Sequence, residues 1–330
     1  MNWLNKHIEK RQLGQSDLSL SAIGLGTWQF SKGTGLVGKF WGVLDDELTE
    51  EIIKTSLDGG INWFDTAEVY GGGESEKILA KALDSIGATP EDAKIATKWW
   101  PALRTAASIS KTINIRKEAL NQRPLDLYQI HQPFSFSSVE KQMLEMIKLV
   151  NEGHIKHIGV SNFSVEAMIE SHRILTEHGL ALASNQVKYS LLDRRIEESG
   201  MIERAKELGI SIIAYSPLEQ GLLTGKFHDN PALIQQAKGP RRYQRKFKEV
   251  GLNETKPLIK LLDTIGEKYN VSASQVALNW LIHYHGDTVF AIPGATKAHH
   301  AQDNVGALTF KLDTGELEEI SRSSWKVLGK

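Results

Sequence analysis

The apolar positions of this chain switch between two periods along nearly its whole length. Residues 8–28 alternate and carry Gly and Asp at turn positions. This predicts a short hairpin followed by a first core strand over Ala22–Thr27. Leu48–Leu57 is then apolar at helical spacing, and Ile61–Asp65 reads as a short strand. The exchange repeats with helices over Ser75–Leu83, Ile109–Leu120, Val139–Val150, Val165–Leu175 and Ile202–Leu208. Between and after them stand strands over Lys94–Lys98, Leu125–His131, Ile155–Asn162, Leu182–Tyr189 and Ile210–Pro217. A long connection follows, then helical patterns near 256–269 and 274–284 and a last strand over Thr288–Gly294. Further helical segments lie near 297–308 and 314–323.

Eight strands therefore alternate with helices. Strict β-α alternation implies a parallel sheet, because each return crossover needs a helix. Short Ile- and Val-rich strands at regular spacing fit the filled interior of a (β/α)8 TIM barrel. The N-terminal β-hairpin and the extra C-terminal helices are additions to it. An open, doubly wound sheet would mark its nucleotide site with G-x-G-x-x-G in the first β-α turn. Here that turn reads GLGTWQFSKGTG; its third glycine is displaced and no helix start follows. The barrel is the expected fold, with residues 1–330 as one domain.

Charge narrows the function. Lys and Arg number 39 against 40 Asp and Glu, a net charge of −1, so nothing argues for a nucleic-acid surface. No apolar run approaches the roughly 18 residues of a membrane span. The N-terminus is charged and lacks the apolar core of a secretory signal. The absence of cysteine excludes disulfides, thiol nucleophiles and thiolate metal sites, and fits a cytoplasmic protein. His283 and His285, like the adjacent His299 and His300, point to different helix faces, so no metal is expected.

In such a barrel the chemistry sits at the C-terminal ends of strands. The polar residues there are Asp65, Lys98, His131, Ser161, Asn162, Gln186, Tyr215 and Ser216, with Tyr70 in the loop five residues past Asp65. Alone, each reads as a packing or capping residue. Together, Asp65, Tyr70, Lys98 and His131 form a proton-donating device. A phenol with a reference pKa near 10 is a poor acid at neutral pH, and a nearby ammonium stabilises its phenolate. Aspartate holds the lysine, and histidine orients a carbonyl oxygen. The amides and hydroxyls of Ser161, Asn162 and Gln186 suit a carboxamide, and the ring of Tyr215 suits a flat heterocycle. The loop Leu218–Lys226 offers backbone N–H groups to a pyrophosphate. The strand–glycine–helix passage IPGATKAHHAQDN, Ile292–Asn304, suits an anion. Lys297 and His300 add positive charge there, and Asp303 and Asn304 suit an adenine amine.

These segments closely resemble the aldo-keto reductase superfamily. GLGTW (Gly24–Trp28), the run Gly60–Leu83, VNEGHIKHIGVSNFS (Val150–Ser164), AYSPLEQGLLTGK and IPGATKAHHAQDN occur in the family's order. Their detailed form is similar to the bacterial and potassium-channel β-subunit branch. The resemblance implies an NADPH-dependent carbonyl reductase, with Tyr70 as general acid, Lys98 and Asp65 assisting, and His131 orienting the carbonyl. It implies Ser161, Asn162 and Gln186 at the nicotinamide carboxamide and Tyr215 on its ring. Gly26, Thr27, Trp28, Ser216, Leu218, Gly221, Leu223 and Lys226 would contact the cofactor. Gly294, Thr296, Lys297, His300, Asp303 and Asn304 would surround its adenosine end. Where many relatives carry an arginine for the 2′-phosphate, this chain has Lys297 and His300, which leaves NADH as a weaker alternative. Arg241, Arg242 and Arg245 in the basic stretch Gln235–Lys248 are candidates for the missing grip. Trp28, Trp41 and Trp99, with Trp100 beside them, are expected to shape an aromatic mouth for a small carbonyl substrate, with Trp99 in the pocket itself. The alternative is a nucleotide-binding regulatory or redox-sensing subunit with very slow turnover. A monomer or a homo-oligomer fits either reading.

Overall fold

The computed structural model describes residues 8–31, 33, 44–236 and 243–330. Trp41, Arg241 and Arg242 lie outside them. Strands β1 (Lys10–Gln12) and β2 (Ser19–Ser21) form the expected antiparallel hairpin. Eight parallel strands follow in chain order: β3 (Leu25–Gly26), β4 (Trp63–Asp65), β5 (Lys94–Trp99), β6 (Leu127–Ile130), β7 (His157–Ser161), β8 (Leu182–Lys188), β9 (Ser211–Tyr215) and β10 (Val289–Ala291). The sheet closes on itself. Gly24 N donates to Ala291 O at 2.9 Å and Ala291 N to Ala22 O at 3.0 Å, with bridges Ile23 to Ala291 and Gly26 to Gly294. The first strand is thus shorter than its pattern suggested; its neighbours contribute closure bonds only.

The outer layer holds helices α1 (Asp46–Asp58), α2 (Glu74–Ser85), α3 (Ala107–Ala119), α4 (Val139–Asn151), α5 (Val165–Glu177), α6 (Met201–Leu208), α7 (Glu249–Tyr269), α8 (Ala273–His283), α9 (Ala298–Gly306) and α10 (Thr314–Val327). Several begin where the sequence supplies a cap. Asp45, Ser138 and Ser164 accept from the backbone of α1, α4 and α5, and α8 and α10 carry full capping boxes. Among the described residues no helix is long and apolar enough to cross a membrane.

The barrel interior has two layers, because residues two apart on a strand face the same way; on β8 a register irregularity at Ala183 makes the spacing three. The lower layer is apolar: Trp63, Ala96, Leu127, Ala183, Ile213 and Phe290, plugged from below by Leu13, Leu18 and Leu20 around the hairpin. The upper layer is polar and carries Asp65, Lys98, Gln129, Ser161 and Gln186, all buried. Glycine is sterically required at position 24, since a β-carbon there would lie 2.3 Å from the Trp63 indole. Gly24→Ala should therefore cost about 1–3 kcal/mol of stability, the usual range for overpacking. A chemical denaturation midpoint matching the parent protein would refute this.

Candidate active site

The upper polar layer is built on one aspartate. Lys98 Nζ donates to Asp65 Oδ1 at 2.5 Å and to Thr66 O at 2.8 Å. The other carboxylate oxygen, Oδ2, accepts from Gln186 Nε2 at 2.8 Å and Gln129 Nε2 at 3.2 Å. Both side chains of the Asp65–Lys98 pair are at most 1% exposed. Burial lowers the Lys98 ammonium below its ordinary value, against the pull of Asp65.

Tyr70 lies over this pair, with Lys98 Nζ 5.1 Å from its ring centroid. It opens the glycine turn 70–73, in which Gly71, Gly72 and Gly73 all have positive φ. A side chain would be strained at each, so the turn can be this tight only with glycine. Ser75 ties the turn down: it donates to Thr27 O at 2.7 Å and accepts from Thr66 Oγ1 at 3.0 Å. Burial first, then the Asp65 charge, push the Tyr70 phenol well above its ordinary value. The simple expectation of a lowered phenol therefore does not describe this resting site. A donor must first hold its proton, and Tyr70 does so throughout the neutral range. His131 is driven well below its usual range by burial and then by Lys98, so it is a neutral imidazole.

Four ring contacts run outward from the centre. Trp28 stacks on Tyr70 at 6.1 Å, and Tyr70 meets His131 edge-on at 5.7 Å. His131 meets Trp100 at 5.2 Å, and Trp100 meets Phe134 at 5.7 Å. Trp100, not Trp99, lines the cavity. The reason is strand alternation: Lys98 faces inward, so Trp100 follows it and Trp99 turns outward, where its Nε1 donates to Ser108 at 3.0 Å. Gln129 was legible by the same rule, two residues before His131, and sequence reasoning missed it.

A cavity of about 390 Å³ extends from these residues across the strand ends. Gly26, Thr27, Trp28, Ser161, Asn162, Gln186, Tyr215, Ser216, Leu218 and Gly221 line it, as do Lys226, Gly294, Thr296, His300, Asp303 and Asn304. Gln29, Gln132, Gln220, Thr224 and Ser274 also line it and had no distinguishing pattern in sequence. Leu223 instead is fully buried in the helix–sheet core, and the exposed Lys297 stands outside the lining. Asn162, at φ 59°, joins three strand ends. Its Nδ2 donates to His131 O and Ser161 Oγ, and its Oδ1 accepts from Tyr215 Oη at 3.0 Å. The segment 216–221 has positive φ at Ser216, Glu219, Gln220 and Gly221, a turn that brings backbone to the cavity. Lys188 at 2.7 Å and Lys246 hold the buried Glu219 within it.

The basic stretch is fastened outside the cavity where it is described. Arg245 pairs with Glu254, and Phe247 packs against Phe227. Arg245 thus stands outside the cavity lining, in an exposed pair with Glu254. Burial, reinforced by His299, Lys226 and Lys297, lowers His300 to about 4, so it is uncharged at neutral pH. This corrects the expectation that it adds positive charge.

The residues present fit a dinucleotide. The cavity volume lies within the ordinary range for small-molecule sites. Gly26, Gly221 and Gly294 are among the lining residues. At the far end, the buried Asn304 Nδ2 has no hydrogen-bond partner among the described residues, and neither has Gln29 Oε1. Such atoms are costly unless a ligand or water meets them.

The family model "Aldo/keto reductase family" matches residues 22–324. Chloroplastic pyridoxal reductase of Arabidopsis thaliana is 31% identical over 324 residues, 94% of this chain and 85% of its own. The aldo-keto reductase YhdN of Bacillus subtilis is 31% identical over 298 residues, 88% of this chain and 86% of its own. Among solved structures, a glycerol dehydrogenase from Gluconobacter oxydans superposes with a TM-score of 0.83 at 27% identity. It covers 100% of this chain and 98% of its own.

Proposed function

Since the chain belongs to the aldo/keto reductase family, an oxidoreductase family, we propose that it reduces the carbonyl of a small aldehyde or ketone to an alcohol with NADPH. The observation that carries this reading is the buried Asp65–Lys98 pair beneath Tyr70, with neutral His131 beside the ring. Reduced nicotinamide supplies a hydride when bound. Ser161, Asn162 and Gln186 are the groups to hold its carboxamide, and Tyr215 the face to stack on it. The turn 216–221 and Lys226 would meet the pyrophosphate, and Thr296, His300, Asp303 and Asn304 the adenosine end. Tyr70 gives its proton to the developing alkoxide. Lys98 stabilises the phenolate left behind, Asp65 keeps Lys98 charged and aimed, and His131 positions the carbonyl oxygen.

The test is NADPH consumption by the purified protein with an activated aromatic aldehyde. Turnover supports the reductase. Tight NADPH binding with very slow turnover would support the regulatory subunit instead, and absence of binding would refute the cofactor assignment.

Because burial disfavours the His300 cation, this ring is a weaker partner for a 2′-phosphate than a permanent cation would be. His300→Arg supplies a permanent planar cation, so the Kd for NADPH should fall on the order of tenfold with that for NADH unchanged. The assay is fluorescence titration. An unchanged NADPH Kd would take position 300 away from the 2′-phosphate.

A further inference from the structure

On the outer face of β5, directly behind the inward-facing Lys98, lies a second buried charged group. Glu76 in the first turn of α2 is fully buried, and Arg116 on α3 is 5% exposed. Arg116 Nη1 stands 2.8 Å from Glu76 Oε2. Thr97, the residue before Lys98, donates to Glu76 Oε1 at 2.6 Å. The pair also stands beside the turn that carries Tyr70: a β-carbon on Gly73 (φ 94°) would lie 3.5 Å from both Glu76 Oε2 and Arg116 Nη2, and Glu76 is three residues on from Gly73. Isolating such a pair from water is expensive, and replacing it with apolar groups is often neutral or stabilising. Stability alone does not account for it. Its hydrogen bonding is also incomplete: the Nη1–Oε2 contact is an ion pair out of hydrogen-bond alignment, and among the described residues the buried Arg116 Nε and Tyr128 hydroxyl have no hydrogen-bond partner.

We propose that Glu76, backed by Arg116, is a positioning residue for carbonyl reduction. It joins the Tyr70 turn to the strand that carries Lys98 and adds negative charge behind that lysine. This rests on the reductase reading of the site. Glu76 acts through its neighbours and lines no part of the cavity. Groups facing it from the surrounding elements are Arg116 on α3, Thr97 and Lys98 on β5, Glu68 after β4 and Tyr128 on β6. Burial raises the Glu76 carboxyl to about 7, while Arg116 and then Thr97 oppose the rise, so its full negative charge is present on the alkaline side, where Lys98 titrates. Glu76 in turn favours the charged form of Lys98. The sign follows: removing the Glu76 charge lowers the Lys98 pKa, so the alkaline loss of kcat begins at lower pH.

The experiment compares wild type with Glu76→Gln, Thr97→Val and the neutral pair Glu76→Gln/Arg116→Met. Each is assayed per folded protein, well below its own melting temperature. Glu76→Gln should lower kcat on the order of tenfold and move the alkaline limb to lower pH, as loss of positioning and charge requires. KM for the aldehyde and Kd for NADPH should change less than about twofold, since these groups do not touch either ligand. Thr97→Val keeps the charge and should lower kcat without moving the limb. The neutral pair should regain melting temperature but not kcat. A purely structural Glu76 would reduce melting temperature and leave kcat and the alkaline limb in place, which overturns the proposal. An inactive wild type would instead overturn the reductase reading on which it depends.

Discussion

Tyr70→Phe should lower kcat for carbonyl reduction by on the order of a thousandfold, within the range expected for removing a positioned general acid. The Kd for NADPH should move less than about twofold, because the ring remains and its stack on Trp28 at 6.1 Å is kept. Only the proton donor is lost. The pH dependence separates Tyr70 from its support. The phenol is raised well above its ordinary 10, so it keeps its proton through mildly alkaline pH. Lys98 is lowered from 10.5 by burial, so it loses its proton first as pH rises. The alkaline limb of kcat should therefore belong to Lys98 and lie below the ordinary lysine value. Lys98→Met should abolish that limb along with most of the rate. A Tyr70→Phe variant retaining more than about a tenth of wild-type kcat would remove Tyr70 from the acid role.

Arg194→Met should destabilise the fold by about 3–5 kcal/mol, the usual cost of breaking one side of a buried ion pair. Arg194 is 1% exposed and donates to Glu197 through Nε at 2.7 Å and Nη2 at 2.6 Å. Its Nη1 reaches Ser321 O at 3.0 Å on α10. Its guanidinium lies 4.1 Å from the Trp325 ring centroid and 4.9 Å from that of Trp280. One side chain thus holds the C-terminal helix to the barrel through hydrogen bonds and cation–π contacts. Burial alone would raise Glu197, but hydrogen bonds from His285, Arg194 and Tyr189 outweigh it and bring the carboxyl down to about 2. A depressed carboxylate contributes stability above its unfolded pKa near 4.3, and loses it as pH falls toward 2. In Arg194→Met this acid-side slope should flatten. Urea unfolding at pH 7 and pH 3 measures both effects. A loss below about 1 kcal/mol at pH 7 would show that the apolar contacts of α10 suffice.

Legibility in the sequence followed periodicity. The alternation of short apolar strands with helices is governed by local spacing, so the eight-stranded order was readable and the barrel closes as expected. The caps at Asp45, Ser138 and Ser164 were a further local signal for helix starts, which the reading by apolar spacing did not use. Boundaries failed where long-range contacts intervene. α7 begins at Glu249 rather than near 256, ahead of its internal Pro257, because Phe247 is buried against Phe227 and fastens the end of the basic stretch. In sequence the turn after β9 reads as a loop offering backbone N–H groups to a pyrophosphate, with no expectation for its backbone conformation. Its run of positive φ goes with a buried Glu219 gripped by Lys188 and Lys246, which come from different elements.

The same division holds at the candidate site. By itself the sequence determined which residue types stand at the strand ends: Asp65, Lys98, His131, Asn162 and Gln186, with Tyr70 on its glycine turn. A strand end is a local property, and a barrel gathers all such ends around one axis. Tertiary structure alone decided what each group meets there. It set Gln129 and Gln186 on Asp65, turned Trp99 into the core, left Lys297 outside the cavity, and kept His300 uncharged by burying it. Charge state and contact depend on neighbours distant in sequence and on exclusion of water. Neither is encoded in the spacing of residues along one strand.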